Sequence, residues 1–228
     1  DSDWAKAGYE VAYAQFTIDA KSTKVAHTLN GKSVQIKKQS HYFIVSGKDF
    51  RFKLNLDTGL LESYYYKDQL LMKEGPKPNI SRAKLDNDSS HFKDIMSYLT
   101  LDGEPTVGKS TDGNYMLTTK WNSSYLLDSK TKTPGTIEMS YLIEDTGAVT
   151  VRMKLDFTKT KVKKFIKVGT RLSLAKGTEN VSWYGNGDDE SYCDRQTYTR
   201  VGAYTSTVNK MFYPFAKPQD CGNLTGVK

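Results

Sequence analysis

Residues 148–157 read Ala-Val-Thr-Val-Arg-Met-Lys-Leu-Asp-Phe, with apolar and polar residues in alternation. Successive side chains of a strand point to opposite faces, so a period of two specifies a strand with one buried and one wet face. The same alternation recurs over residues 41–45 and 49–54. Asp57-Thr58-Gly59 joins 50–56 to 60–66, and Asp145-Thr146-Gly147 joins 136–143 to the strand from Ala148, each through the short glycine-containing turn of a hairpin. Further strands are predicted at 115–121, 168–174, 181–184, 201–204 and 208–213, and only 91–99 suggests a short helix. The expected fold is all-β, a large antiparallel β-sandwich.

Composition fits a β-rich chain that needs no covalent staples. Its 228 residues, 37% hydrophobic and with 15 tyrosines, are enough to bury a substantial core. Cys193 and Cys221 lie in separate turn-rich segments and fit no zinc spacing. Two free thiols are expected, with a disulfide the alternative in an oxidising compartment. No run approaches the roughly 18 apolar residues of a membrane span, and any export signal would belong to a longer precursor. The formal charge of +7 comes from dispersed lysines, densest over 159–167. Few arginines, no aromatic-glycine RNA motif, and lysines interleaved with Val162, Phe165 and Ile166 argue for a solvated strand or edge and against nucleic acid.

Residues 183–195 (Trp-Tyr-Gly-Asn-Gly-Asp-Asp-Glu-Ser-Tyr-Cys-Asp-Arg) combine aromatics, paired glycines, four carboxylates and an arginine. Gly185 and Gly187 are expected to turn the chain sharply and present the acids together. In one reading Arg195 and the tyrosines pair the acids and fix the loop. In the other, Trp183 and Tyr184 stack on sugar C–H faces while Glu190 and Asp194, with Tyr192 and Arg195 beside them, bond to hydroxyls. Arg82 with Asp86, Asn87 and Asp88 poses the same choice between an internal ion pair with side-chain caps and a sugar contact. A calcium loop would need a glycine after the acids, where Ser89-Ser90-His91 stands. His27, His41 and His91 are isolated from one another in sequence. The Asn-x-Ser/Thr triplets at Asn79, Asn87, Asn122, Asn180 and Asn223 read as turn preferences.

These segments carry a resemblance. Residues 183–195 resemble the W-Y-G-x-G-P-x-E-x-Y-x-D-R motif in the last domain of long β-galactosidases of glycoside hydrolase family 2. Residues 79–88 resemble its N-F-W-R-A-P-x-D-N-D, 213–223 its Y-x-P-Y-x-x-P-Q-E-x-G-N, and 4–16 the W-x-x-x-G-H-x-x-A-x-x-Q at the end of the preceding domain. Asp188, Cys193 and Lys84 replace family prolines, and Ile80-Ser81 replaces Phe-Trp.

The resemblance implies a galactose-mutarotase-like supersandwich over 36–228, truncated at its C-terminal end. Residues 1–35 would be the tail of an immunoglobulin-like domain and a polar linker. It implies no catalytic residue and no cofactor in this chain, since the family's catalytic glutamates sit in a central barrel. Any divalent cation would be held by other domains of the parent. The expected partners are that barrel, the parent's remaining domains and galactosides at the parent's active site, with the parent open to homo-oligomerisation and no membrane partner. A carbohydrate-binding module and a mutarotase-like epimerase are the competing classes, and bacterial cytoplasm and periplasm are both open.

Overall fold

The computed structural model describes residues 2–18, 33–88, 95–125, 130, 132–188, 190–217, 219, 220, 222 and 224. It divides into two compact units. One comprises His27–Thr178 with Ala216–Gln219, and the other Asp1–Ala26, Glu179–Phe215 and Asp220–Lys228.

The larger unit begins with β1 (Gln35–Gln39), β2 (Tyr42–Ser46), β3 (Phe50–Asn55), β4 (Leu61–Tyr66) and β5 (Gln69–Asn79). A 3-10 turn at Ile95–Tyr98 leads into β6 (Leu99–Leu101), β7 (Thr106–Lys109), β8 (Tyr115–Ser123), β9 (Gly135–Ile143), β10 (Val149–Asp156) and β11 (Gly169–Leu174). These make a six-stranded sheet in the order β1-β2-β3-β4-β5-β11 and a five-stranded sheet in the order β10-β9-β8-β6, with β7 also on β8. All pairings are antiparallel. One core joins them. Phe43, Val45, Phe52, Leu54 and Leu61 from the first sheet share it with Leu117, Trp121, Ile137, Met139, Tyr141 and Ile143 from the second. Alternate burial along β3 and β9 is the period of two read in the sequence. Each such side chain, fully buried, is worth about 1.5–3 kcal/mol. The fold is therefore the all-β antiparallel sandwich expected.

Both predicted hairpins form, β3 to β4 and β9 to β10. In the first, the Asn55 side-chain oxygen accepts the N–H groups of Asp57 at 2.9 Å and Thr58 at 3.1 Å. Gly59 then takes φ +73°, where a Cβ would meet the Thr119 methyl and the Leu101 side chain. Glycine is required there on both counts.

Three expectations are corrected. The predicted helix at 91–99 is, in its described part, a single 3-10 turn before β6, because Leu99 already pairs with Ser123; 91–94 lie outside the described residues. Residues 208–213 do not form a strand. Lys210 and Met211 donate back to the Thr207 carbonyl at 3.0 and 3.1 Å, closing a turn. The longest strand, β5, is absent from the sequence reading, and it carries Pro76 and Pro78, residues that ordinarily demote such a run. It forms because its pairing with β4 ends at Glu74, and 77–79 pair only with β11, so the prolines border one ladder rather than two.

The smaller unit holds β12 (Asn180–Gly187) and β13 (Arg200–Thr207), an antiparallel two-stranded sheet. Its outer edge at Val201 is met by the N-terminal segment. The Gln15 side chain accepts the Val201 N–H at 2.7 Å and donates to its carbonyl at 2.9 Å. The Tyr13 hydroxyl lies 3.1 and 3.2 Å from the carbonyls of Thr197 and Thr199. Arg200 pairs with Glu10 and stacks over the Tyr13 ring at 4.0 Å. Side-chain bonds thus join residues 10–15 to 197–201 within this unit.

Candidate functional site

In the smaller unit, alternation along β12 buries Trp183 and leaves Tyr184 66% exposed on the opposite face. The Trp183 indole N–H donates to the Asn186 carbonyl at 2.8 Å, and its ring stacks on Tyr204 at 5.4 Å. The paired glycines do not make the expected sharp turn. Gly185 and Gly187 lie in β12, opposite Gly202 and Arg200. A Cβ on Gly187 would sit 2.7 Å from the Tyr204 ring and 2.9 Å from the Trp183 ring. Glycine there makes room for the aromatic stack. The turn comes later, where Tyr192 and Arg195 exchange backbone hydrogen bonds of 3.2 and 2.9 Å across Cys193 and Asp194.

That turn presents Arg195 to two carboxylates. Its Nη2 and Nε donate to Glu190 at 3.0 and 3.3 Å, and its Nη1 to Asp194 at 3.0 Å. The Glu190 side chain is only 9% exposed and Asp194 70%. The Arg195 guanidinium also lies over the Tyr192 and Phe215 rings at 5.4 and 5.8 Å. Donating its hydrogen bonds to Glu190 holds Arg195 further into its charged range. The Tyr192 hydroxyl points toward the Asp220 carboxylate, 3.5 Å away.

Beside this pair lies a pocket of about 130 Å³ lined by Trp183, Asp188, Glu190, Lys210, Phe212 and Tyr213, among others. The aromatic rim, with Phe212 75% and Tyr213 52% exposed, was missed in the sequence because Met-Phe-Tyr reads as strand. Of the six residues assigned to this loop, Trp183 and Glu190 reach the pocket lining. Asp189, Cys221 and Asn223 lie outside the described residues.

In the larger unit, Arg82 and Asp88 form a bidentate pair, Nη1 to Oδ2 at 2.8 Å and Nη2 to Oδ1 at 2.9 Å. Both side chains are nearly buried. Asp88 also accepts the Leu85 N–H at 2.7 Å, and Arg82 donates to the Ala83 carbonyl at 2.8 Å. The Arg82 hydrogen bonds, then that of Leu85, hold the Asp88 carboxyl below its ordinary range. Asp86 faces solvent and pairs with Lys217 at 2.8 Å, while Asn87 is exposed. Ser89, Ser90 and His91 lie outside the described residues, as does His27. His41 pairs with Asp57 at 2.8 Å on the surface. Among the described residues no cluster of His, Cys, Asp and Glu could hold a metal ion.

Chemically, four of the described motif carboxylates are paired with cations: Asp88 with Arg82, Asp86 with Lys217, and Glu190 and Asp194 with Arg195. A retaining glycosidase needs an acid held protonated about 5 to 5.5 Å from a nucleophilic carboxylate. The hydrogen bonds from Arg82 drive the Asp88 carboxyl the other way.

A family model described as beta galactosidase small chain matches residues 46–228. The β-galactosidase of Priestia megaterium (strain DSM 319 / IMG 1521) is 27% identical over 234 residues, covering 100% of this chain and 22% of the relative. That of Streptococcus thermophilus is 26% identical over 238 residues, covering 100% and 22%. That of Clostridium acetobutylicum is 26% identical over 207 residues, covering 90% and 22%. The chain thus spans less than a quarter of the length of these relatives.

Proposed function

The chain belongs to the β-galactosidase small-chain family, and from that membership we propose that it is a non-catalytic domain of a β-galactosidase. The parent hydrolyses terminal β-D-galactosides with retention, and this domain shapes and supports its active site. Its partners are the catalytic barrel and other domains of that parent, which also hold any divalent cation the reaction uses. The observation that carries the reading is the pairing of Asp88 with Arg82, of Glu190 and Asp194 with Arg195, and of Asp86 with Lys217. Carboxylates so paired tie loops in place, and Asp88, held below its ordinary range, is poorly suited to serve as the proton donor of glycoside cleavage.

A chromogenic galactosidase assay on the full chain, paired with NMR titration by galactose and lactose, tests it. No turnover is expected. Turnover that falls in Glu190→Gln would overturn it.

A carbohydrate contact is the second reading, favoured by the pocket that Trp183 and Glu190 share with Asp188, Lys210, Phe212 and Tyr213. Aromatic faces beside carboxylates and an ammonium suit the C–H faces and hydroxyls of a sugar. Saturable shifts at these residues, lost in Phe212→Ala, would establish it; galactose shifts absent from the pocket would remove it.

A further inference from the structure

We infer that residues 10–15 are a positioning clasp for the pocket: by fixing the first residues of β13 they hold the Tyr204 ring against Trp183, the pocket's buried aromatic wall. Gln15 closes a two-bond pair with the Val201 backbone, accepting its N–H at 2.7 Å and donating to its carbonyl at 2.9 Å, so one side-chain amide does what a residue of a third strand would do. The Tyr13 hydroxyl reaches the Thr197 and Thr199 carbonyls at 3.1 and 3.2 Å, and its ring lies 4.0 Å from the Arg200 guanidinium, which Glu10 pairs. β13 begins at Arg200. The end of a strand in a two-stranded sheet has little of its own to hold it, so the clasp grips where opening starts.

From Arg200 the contacts run on to the pocket. Arg200, Gly202 and Tyr204 fall on one face of β13, opposite Gly187, Gly185 and Trp183 of β12. The Tyr204 hydroxyl donates back to the Arg200 carbonyl at 2.8 Å. To reach it the side chain lies over Gly202 and Gly187, where added Cβ atoms would come within 3.1 and 2.7 Å of it. Its ring stacks on Trp183 at 5.4 Å, and Trp183 lines the pocket. Tyr204 is thus held at both ends, its hydroxyl by a residue that the clasp fixes and its ring by the indole that it supports. A shift of 200–201 takes away the hydroxyl's acceptor and frees the ring that backs Trp183. Every link lies within the smaller unit. The inference rests on the pocket of the carbohydrate reading and adds how that pocket is set: displacing residues 10–15 loosens its Trp183 wall.

The test is hydrogen exchange by NMR on the full chain, read at the Val201 amide and at the Trp183 indole N–H, the latter identified as the signal absent from Trp183→Phe. In the triple variant Glu10→Ala, Tyr13→Ala, Gln15→Ala the Val201 amide should exchange about tenfold faster. The Trp183 indole should accelerate with it, although the three altered side chains bond to 197–201. Tyr204→Phe keeps the ring stack and removes the bond to Arg200. In that background the same triple change should leave the indole rate within about twofold while Val201 still accelerates. Unchanged β9 amides verify that the larger unit is intact. Should the triple variant strip protection from all of β12, Gln15→Glu, which keeps an acceptor for the Val201 N–H and loses only the donor, makes the same comparison in a smaller step. An indole rate that stays constant while Val201 accelerates, a Val201 amide still protected without the clasp, or an equal indole response in the Tyr204→Phe background overturns the proposal. These readouts need no sugar, so galactose that leaves the pocket unshifted removes the carbohydrate reading and not this coupling.

Discussion

The two units reach order by different routes. In the larger one, two sheets close over a continuous apolar core, with Val45, Leu54, Leu117, Ile137, Met139, Tyr141 and Ile143 wholly buried. In the smaller one, a two-stranded sheet buries Trp183 against Tyr204 and is otherwise tied by side chains: Gln15 to Val201, Arg200 to Glu10, Arg195 to Glu190. Dispersion and apolar burial are additive over many atoms and tolerant of detail, whereas a few oriented polar contacts and one ring stack depend on each partner. The contrast teaches that the first unit should fail through volume and the second through geometry.

The largest effect is expected where volume is removed from the core. Leu54→Ala should destabilise the larger unit by about 2–5 kcal/mol, read by denaturant titration on the fluorescence of buried Trp121. A loss under about 1 kcal/mol would mean that the core collapses onto the gap and is less closely packed than its burial implies.

Next comes geometry in the smaller unit. Gly187→Ala adds one methyl group, yet it places a carbon against the Tyr204 and Trp183 rings, and a cost of about 1–3 kcal/mol is expected. Trp183 emission should shift to the red as the stack opens. An unperturbed spectrum would show that the rings move aside at little cost, and would erase the distinction drawn between the units.

A weaker lever is pH. Asp88 is held below the ordinary carboxyl range by its hydrogen bonds from Arg82 and Leu85. A carboxyl depressed in the folded state contributes stability above its unfolded value, and that contribution disappears as pH falls through the folded value. Asp88→Asn should therefore lower stability at neutral pH and flatten the acid limb of the larger unit. Parallel acid limbs in the two proteins would assign the pair no net role. Smallest is Lys217→Ala, whose partner Asp86 is as exposed as itself. A change below about 0.5 kcal/mol is expected in thermal unfolding, and a larger loss would place the 216–219 segment among the structural ties.

How much of this was legible depended on range. β3, β9 and β10 were readable because alternation is a local pattern, and burial follows it residue by residue in β3 and β9. The hairpin turns were readable for the same reason: Asn55 and Gly59 act within five residues. β5 was not, since its prolines are acceptable only given where the β4 ladder stops. At the candidate site, the sequence set Arg82 beside the acids of 86–88 and Arg195 beside the loop acids, and the structure selects Asp88 and Glu190 as their two-bond partners. The pocket rim at Phe212 and Tyr213 was not, because its position depends on the Thr207 turn.

The sequence by itself therefore determined the fold class, the hairpins and, through its motifs, the family. A period of two and a glycine turn are properties of neighbouring residues, fixed before anything distant packs. Only tertiary structure decided why Gly187 must be glycine and which carboxylates face a pocket. Those outcomes depend on what arrives from elsewhere in the chain: the Tyr204 ring and the 210–213 turn.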